Sequence, residues 1–200
     1  MDAVDELFEA IERGEVDRVR RLLTAGADPD AIRADHSPGW RPLHAAIEAM
    51  DDGGPLASVA ALLEHGAAVD GWDSEHDATP LLMAAFRGQT AAARLFVDAG
   101  ADVNVVGGEG DSPLRWAAQA GDIEMARLLL ARGAARDLDA GGGTSGMSAL
   151  GLAAHRLDVA MVRLLLEAGA RPDEPDADGW WPVAVSTRPT TQRRRSDGAK

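Results

Sequence analysis

The chain contains no cysteine and no tyrosine. The first absence excludes disulfides, thiolate metal sites and cysteine nucleophiles together. Aromatic residues make up only 4% of the 200 positions, although 46% are hydrophobic. Alanine, leucine and valine must fill the interior, and such a core suits closely packed helices better than a β-sandwich, which favours β-branched and aromatic residues. Cations are also scarce: 20 Lys and Arg stand against 33 Asp and Glu, a formal net charge of −13. That balance argues against phosphate-led binding of nucleic acid, which needs clustered Lys and Arg. No apolar stretch approaches the roughly 20 residues that span a bilayer. The opening Met1-Asp2-Ala3-Val4-Asp5-Glu6 is acidic where a secretory signal needs positive charge before an apolar run. The expectation is a soluble, cytoplasmic protein, with no nucleic acid and no membrane among its partners.

What the chain does have is a period. Gly-Ala recurs at Gly26-Ala27, Gly66-Ala67, Gly100-Ala101, Gly133-Ala134 and Gly169-Ala170, in steps of 40, 34, 33 and 36 residues. An apolar pair precedes each one: Leu22-Leu23, Leu62-Leu63, Phe96-Val97, Leu129-Leu130 and Leu165-Leu166. A second landmark runs in phase, at Arg41-Pro42-Leu43-His44-Ala45-Ala46, Thr79-Pro80-Leu81-Leu82-Met83-Ala84-Ala85, Ser112-Pro113-Leu114-Arg115-Trp116-Ala117-Ala118 and Ser148-Ala149-Leu150-Gly151-Leu152-Ala153-Ala154. Fixed periods of this length signal stacked units that cannot bury their apolar faces alone. Ser or Thr before Pro reads as an N-cap followed by the first helical position, where a missing N–H costs nothing. Gly88 and Gly121 then read as helix ends, since glycine adopts the left-handed conformation freely.

These residues resemble the ankyrin repeat, whose signature is Thr-Pro-Leu-His with Ala-Ala, then Gly, a Leu-Leu pair and Gly-Ala. The resemblance covers roughly residues 4 to 187. It implies an all-α solenoid of helix-turn-helix units with short β-hairpin fingers. The units are expected at 1–33 (an N-terminal cap), 34–71, 72–104, 105–138, 139–175 and 176–188 (a truncated last repeat), followed by a disordered tail at 189–200. Leu82, Arg115 and Gly151 replace the family's histidine, so its hydrogen bonding is expected to survive in part. The glycine run 141–143 suggests a long, mobile finger.

Catalytic machinery is not visible. The histidines His36, His44, His65, His76 and His155 show no paired ligand spacing. Gly107-Gly108-Glu109-Gly110 resembles a phosphate loop only superficially, without a third glycine at the right place or a following lysine. No enzyme activity, metal or cofactor is expected.

In ankyrin proteins the partner usually lies on the concave surface made by fingers and first helices. Carried over position by position, the candidates are the finger residues Trp40, Trp72, His76, Glu109, Asp111, Met147 and Trp180, and the first-helix residues Phe86, Arg87, Gln119, His155 and Arg156. Tryptophan on a loop otherwise made of Asp, Gly and Ser has no obvious core to fill and is enriched at interface hot spots; packing between fingers is the competing reading. Trp116, beside Ala117-Ala118, is expected in the core. Acidic residues crowd the fingers, Asp30, Asp70, Asp73, Asp77, Glu109, Asp111 and Asp139 among them, and they would either steer a basic surface inward or simply keep the protein soluble. The reading is a monomeric protein-interaction module, an adaptor or an inhibitor, with a protein partner that the charge suggests is basic. A self-assembling scaffold and an enzyme with an unrecognised site are the alternatives.

Overall fold

Among the described residues, a hydroxyl followed by proline starts a helix at two places. In the computed structural model, which describes residues 3–33, 40–73, 77–134, 138–143 and 145–172, the Thr79 and Ser112 side chains accept from the backbone N–H of Leu82 and Arg115, both at 3.4 Å. Ser148 does the same for Gly151 at 3.2 Å, without a proline behind it. Arg41 heads its helix with no side-chain cap. Two of the second helices are capped by aspartate: Asp122 accepts from Met125 N at 2.8 Å and Asp158 from Met161 N at 3.0 Å.

The resulting helices are α1 (Ala3–Glu12), α2 (Val16–Thr24), α3 (Pro42–Asp51), α4 (Leu56–Glu64), α5 (Pro80–Phe86), α6 (Thr90–Asp98), α7 (Pro113–Ala120), α8 (Ile123–Ala131), α9 (Ala149–His155) and α10 (Val159–Glu167). Odd-numbered helices pack on odd and even on even, α1–α3–α5–α7–α9 forming one layer and α2–α4–α6–α8–α10 the other, with each odd helix also packed on the even one that follows. This is an all-α repeat solenoid. The truncated last repeat expected at 176–188, and the tail expected after it, lie outside the described residues.

Alanine explains the tight stacking. Ala45, Ala46, Ala84, Ala85, Ala117, Ala118 and Ala153 are buried between first helices, while Leu23, Leu62, Phe96, Leu129 and Leu165 fill the space between the layers. Gly14, Gly88 and Gly121 end their first helices with φ of 67°, 68° and 75°. The matching turn after α9 departs from this rule, because Leu157 holds it at φ 58°.

Among the described residues, the short β-hairpin fingers implied by the resemblance are not seen as strands, and β pairing is confined to one antiparallel bridge between Asp73 and Ala78. The fingers are rich in Asp, Asn and Gly, which are poor strand formers.

Candidate partner-binding surface

The histidine slot of each repeat decides how one finger is tied to the next. His44 is fully buried and donates through Nε2 to the carbonyl of Ala78 at 3.1 Å. Ala78 immediately precedes the capping Thr79 of the following repeat. Arg115, two repeats on, does the same from an unrelated side chain: its Nε donates to the carbonyl of Met147 at 2.8 Å, and Met147 precedes the capping Ser148. Its guanidinium also bonds the Asp111 carboxylate, with Ser145 Oγ at 3.5 Å. The hydrogen bonding of the slot thus survives in a repeat that lacks the histidine.

Leu82 has nothing to donate. It joins Ala78, Val105 and Trp116 in a small apolar cluster set apart from the main core. The carbonyl of Asp111, which the slot would otherwise reach, accepts instead from Gly107 N at 2.8 Å. The space left above Leu82 is a groove of about 640 Å³ between the third and fourth fingers, with Leu82, Met83, Phe86 and Trp116 as its apolar lining and Asp77, Arg87, Glu109 and Asp111 at its polar edges. Phe86 is 60% exposed, and its ring meets that of Trp116 edge-on, with centroids 4.7 Å apart and planes at 72°. Arg87 is held by the Asp51 and Glu48 carboxylates of the preceding repeat.

The glycine-rich fingers make this geometry possible. A Cβ on Gly108 would stand 2.1 Å from the Asp77 carboxylate, and one on Gly142 only 1.9 Å from the carbonyl oxygen of Gly110. Gly143 N donates to the Glu109 carbonyl at 2.7 Å. Gly110 and Gly142 serve backbone-to-backbone approach, while Gly107 and Gly108 make room for the Leu82 and Asp77 side chains.

A second hollow of about 350 Å³ adjoins the first, sharing Glu109, Asp111 and Trp116 and adding Gln119, Met147, His155 and Arg156. Eight of the expected residues therefore line one continuous surface: Phe86, Arg87, Glu109, Asp111, Gln119, Met147, His155 and Arg156. Trp40 and Trp72 line neither hollow. Trp40 is half-buried against the main core, and Trp72 stays exposed while its carbonyl accepts from Arg41 Nε at 3.0 Å. His76 and Trp180 lie outside the described residues. Trp116, expected in the core, belongs to the surface as well. It is half-buried, packing on both apolar clusters while walling both hollows. The signal that points to it is Leu82: an apolar residue in a donor slot leaves room for the neighbouring indole.

Several finger acids are committed to the array itself. The Asp30 carboxylate accepts from Ala68 N at 3.0 and 3.1 Å, Asp70 from Asp102 N at 3.1 Å and Asp139 from Arg171 N at 2.7 Å. Each reaches the third residue of a Gly-Ala turn in the next repeat. Asp73 is fully buried. The carboxylates of Asp30, Asp70 and Asp139 bind neighbouring backbone, a role distinct from both solubility and steering.

The family model described as ankyrin repeats (3 copies) matches residues 7–107 and 81–176. The chain is 35% identical over 133 residues to the human neurogenic locus notch homolog protein 2, a match covering 66% of this chain and 5% of that protein. It is 35% identical over 123 residues to the neurogenic locus notch homolog protein 1 of Cricetulus griseus, covering 61% and 5%. The protein of the same name from Danio rerio is 33% identical over 123 residues, again covering 61% and 5%. The chain thus spans about a twentieth of the length of these relatives. With the repeats, their caps and their slot residues in place, the chain belongs to the ankyrin-repeat family.

Proposed function

We propose that the chain is a protein-interaction module, an adaptor or an inhibitor, that binds a protein partner on the face made by its fingers and first helices. Ankyrin repeats generally mediate protein–protein interaction, and such a module needs no chemistry of its own. One observation carries the choice of face. The groove over Leu82 leaves Phe86 largely exposed against the half-buried Trp116, and a large aromatic kept in water beside an apolar hollow is the arrangement expected of an interface anchor. The second hollow extends the surface toward Gln119, His155 and Arg156. A partner covering both would exclude water from the aromatic pair at its centre.

The test compares three forms of the chain as bait in extracts of its native cells: wild type, Phe86→Ala, and Arg94→Ala on the opposite, second-helix layer. Proteins held by wild type and by Arg94→Ala are expected to be lost from Phe86→Ala. Equal recovery on Phe86→Ala would move the binding surface elsewhere.

A further inference from the structure

We propose that the groove over Leu82 receives an arginine or lysine side chain from the partner; this deepens, and rests on, the reading of that face as the binding surface. Charge is the first ground. Asp77 and Glu109 are exposed at the groove's edge, and neither carboxylate is paired with a cation among the described residues. Arg87, the cation in the groove's lining, is already engaged with Asp51 and Glu48, and Arg115 beside it with Asp111, while Arg156 belongs to the adjoining hollow. The field over the groove is therefore negative, and an acidic side chain entering it would meet like charge.

The lining supplies the second ground. Leu82 and Met83 offer an apolar floor and Phe86 and Trp116 an aromatic wall. A long basic side chain suits both at once, laying its methylenes along apolar surface while its charged head reaches the carboxylates. An aromatic face within about 6 Å of the cation adds attraction. A purely apolar side chain would fill the same floor but desolvate two carboxylates without compensation, which is unfavourable. A hollow of about 640 Å³ lies within the usual range of ligand pockets and admits the residues flanking the anchor as well.

The experiment titrates the full chain with seven-residue peptides of glycine, alanine and serine whose central residue is arginine, lysine or norleucine, followed through amide shifts and the Trp116 indole N–H. Arginine and lysine peptides are expected to shift residues 77–87 and 107–116 and to bind about tenfold tighter than norleucine, an advantage of the size that cation–aromatic contact and a paired charge supply. That advantage should shrink as salt is raised. The double variant Asp77→Asn, Glu109→Gln should erase it without weakening norleucine binding, since it also removes the desolvation cost that norleucine meets. Asparagine tolerates the positive φ of 48° at residue 77 as well as aspartate does, and an unaltered spectrum outside the groove verifies the fold. Equal binding of norleucine, an advantage that survives the double variant, shifts confined to other residues, or no binding of any peptide at millimolar concentration would each overturn the proposal. If Phe86→Ala loses the cellular partner while the peptides show no preference for a cation, the binding surface stands and the basic anchor alone falls.

Discussion

Arg115 occupies in its repeat the slot that His44 occupies two repeats earlier, and both side chains reach the carbonyl that precedes the next repeat's N-cap, at 2.8 and 3.1 Å. The guanidinium carries a second duty, since Asp111 is its partner in a pair with side chains 3% and 15% exposed. Arg115→Leu removes the donor and strands a mostly buried carboxylate, so a loss of about 2–4 kcal/mol is expected in denaturant unfolding. Arg115→His should recover part of it, because imidazole reaches the equivalent carbonyl in the second repeat. A histidine variant no more stable than the leucine variant would show that the slot bond contributes little.

Leu157 turns the chain between α9 and α10 in the left-handed region, where Gly14, Gly88 and Gly121 serve in other repeats. A leucine there is strained by about 1–2 kcal/mol and is also 82% exposed. Glycine's extra freedom in the unfolded chain offsets roughly 0.5–1 kcal/mol of the relief. Leu157→Gly should therefore stabilise the protein by about 0.5–1 kcal/mol, seen as a higher Tm. A lower Tm would mean that the leucine makes contacts worth more than its strain.

Gly142 is required by proximity to Gly110. A Cβ at that position would lie 1.9 Å from a backbone oxygen and 2.6 Å from its carbon, so Gly142→Ala must push the two fingers apart. A destabilisation of about 1–3 kcal/mol is expected, the usual range for overpacking. The amide of Gly143, which donates to Glu109 at 2.7 Å, should then exchange with solvent faster. Unchanged exchange at Gly143 would indicate that the fingers can accommodate the methyl group.

Finger acids divide into two kinds, and stability separates them. Asp30 accepts from Ala68 N with both oxygens, so Asp30→Ala should cost about 1 kcal/mol. Glu109, a finger acid exposed at the groove's edge whose carboxylate is bonded to no described residue, should change stability by less than about 0.5 kcal/mol on replacement by alanine. Equal effects at the two positions would return all the acidic residues to a common solubilising role.

The repeat register could be read from residues because its signals are local and redundant. Thr79-Pro80 and Ser112-Pro113 start helices, Gly88 and Gly121 stop them, and the Leu pairs before each Gly-Ala mark the inner face. The exposed first-helix positions Phe86, Gln119, His155 and Arg156 followed from that register by counting. What could not be counted depends on how neighbouring units meet. Arg115 in place of histidine looked like a lost hydrogen bond, because the length of its side chain and the position of Met147 come together only in three dimensions. Trp116 looked like core for a similar reason: its slot does face the stack, but the smaller Leu82 beside it leaves one edge of the indole open. Finger tryptophans could not be separated by composition either. Trp40 packs inward and Trp72 remains exposed, and the difference lies in the shape of what surrounds each.

Leu82 therefore marks a trade made within a single slot. A donor there would have fastened the third finger to the fourth and sealed the seam; leucine leaves a groove between them, the one proposed to take the partner. In that slot the tie between fingers and the open space compete for one side chain, and the hollow arises by giving up one internal bond without adding anything to the scaffold.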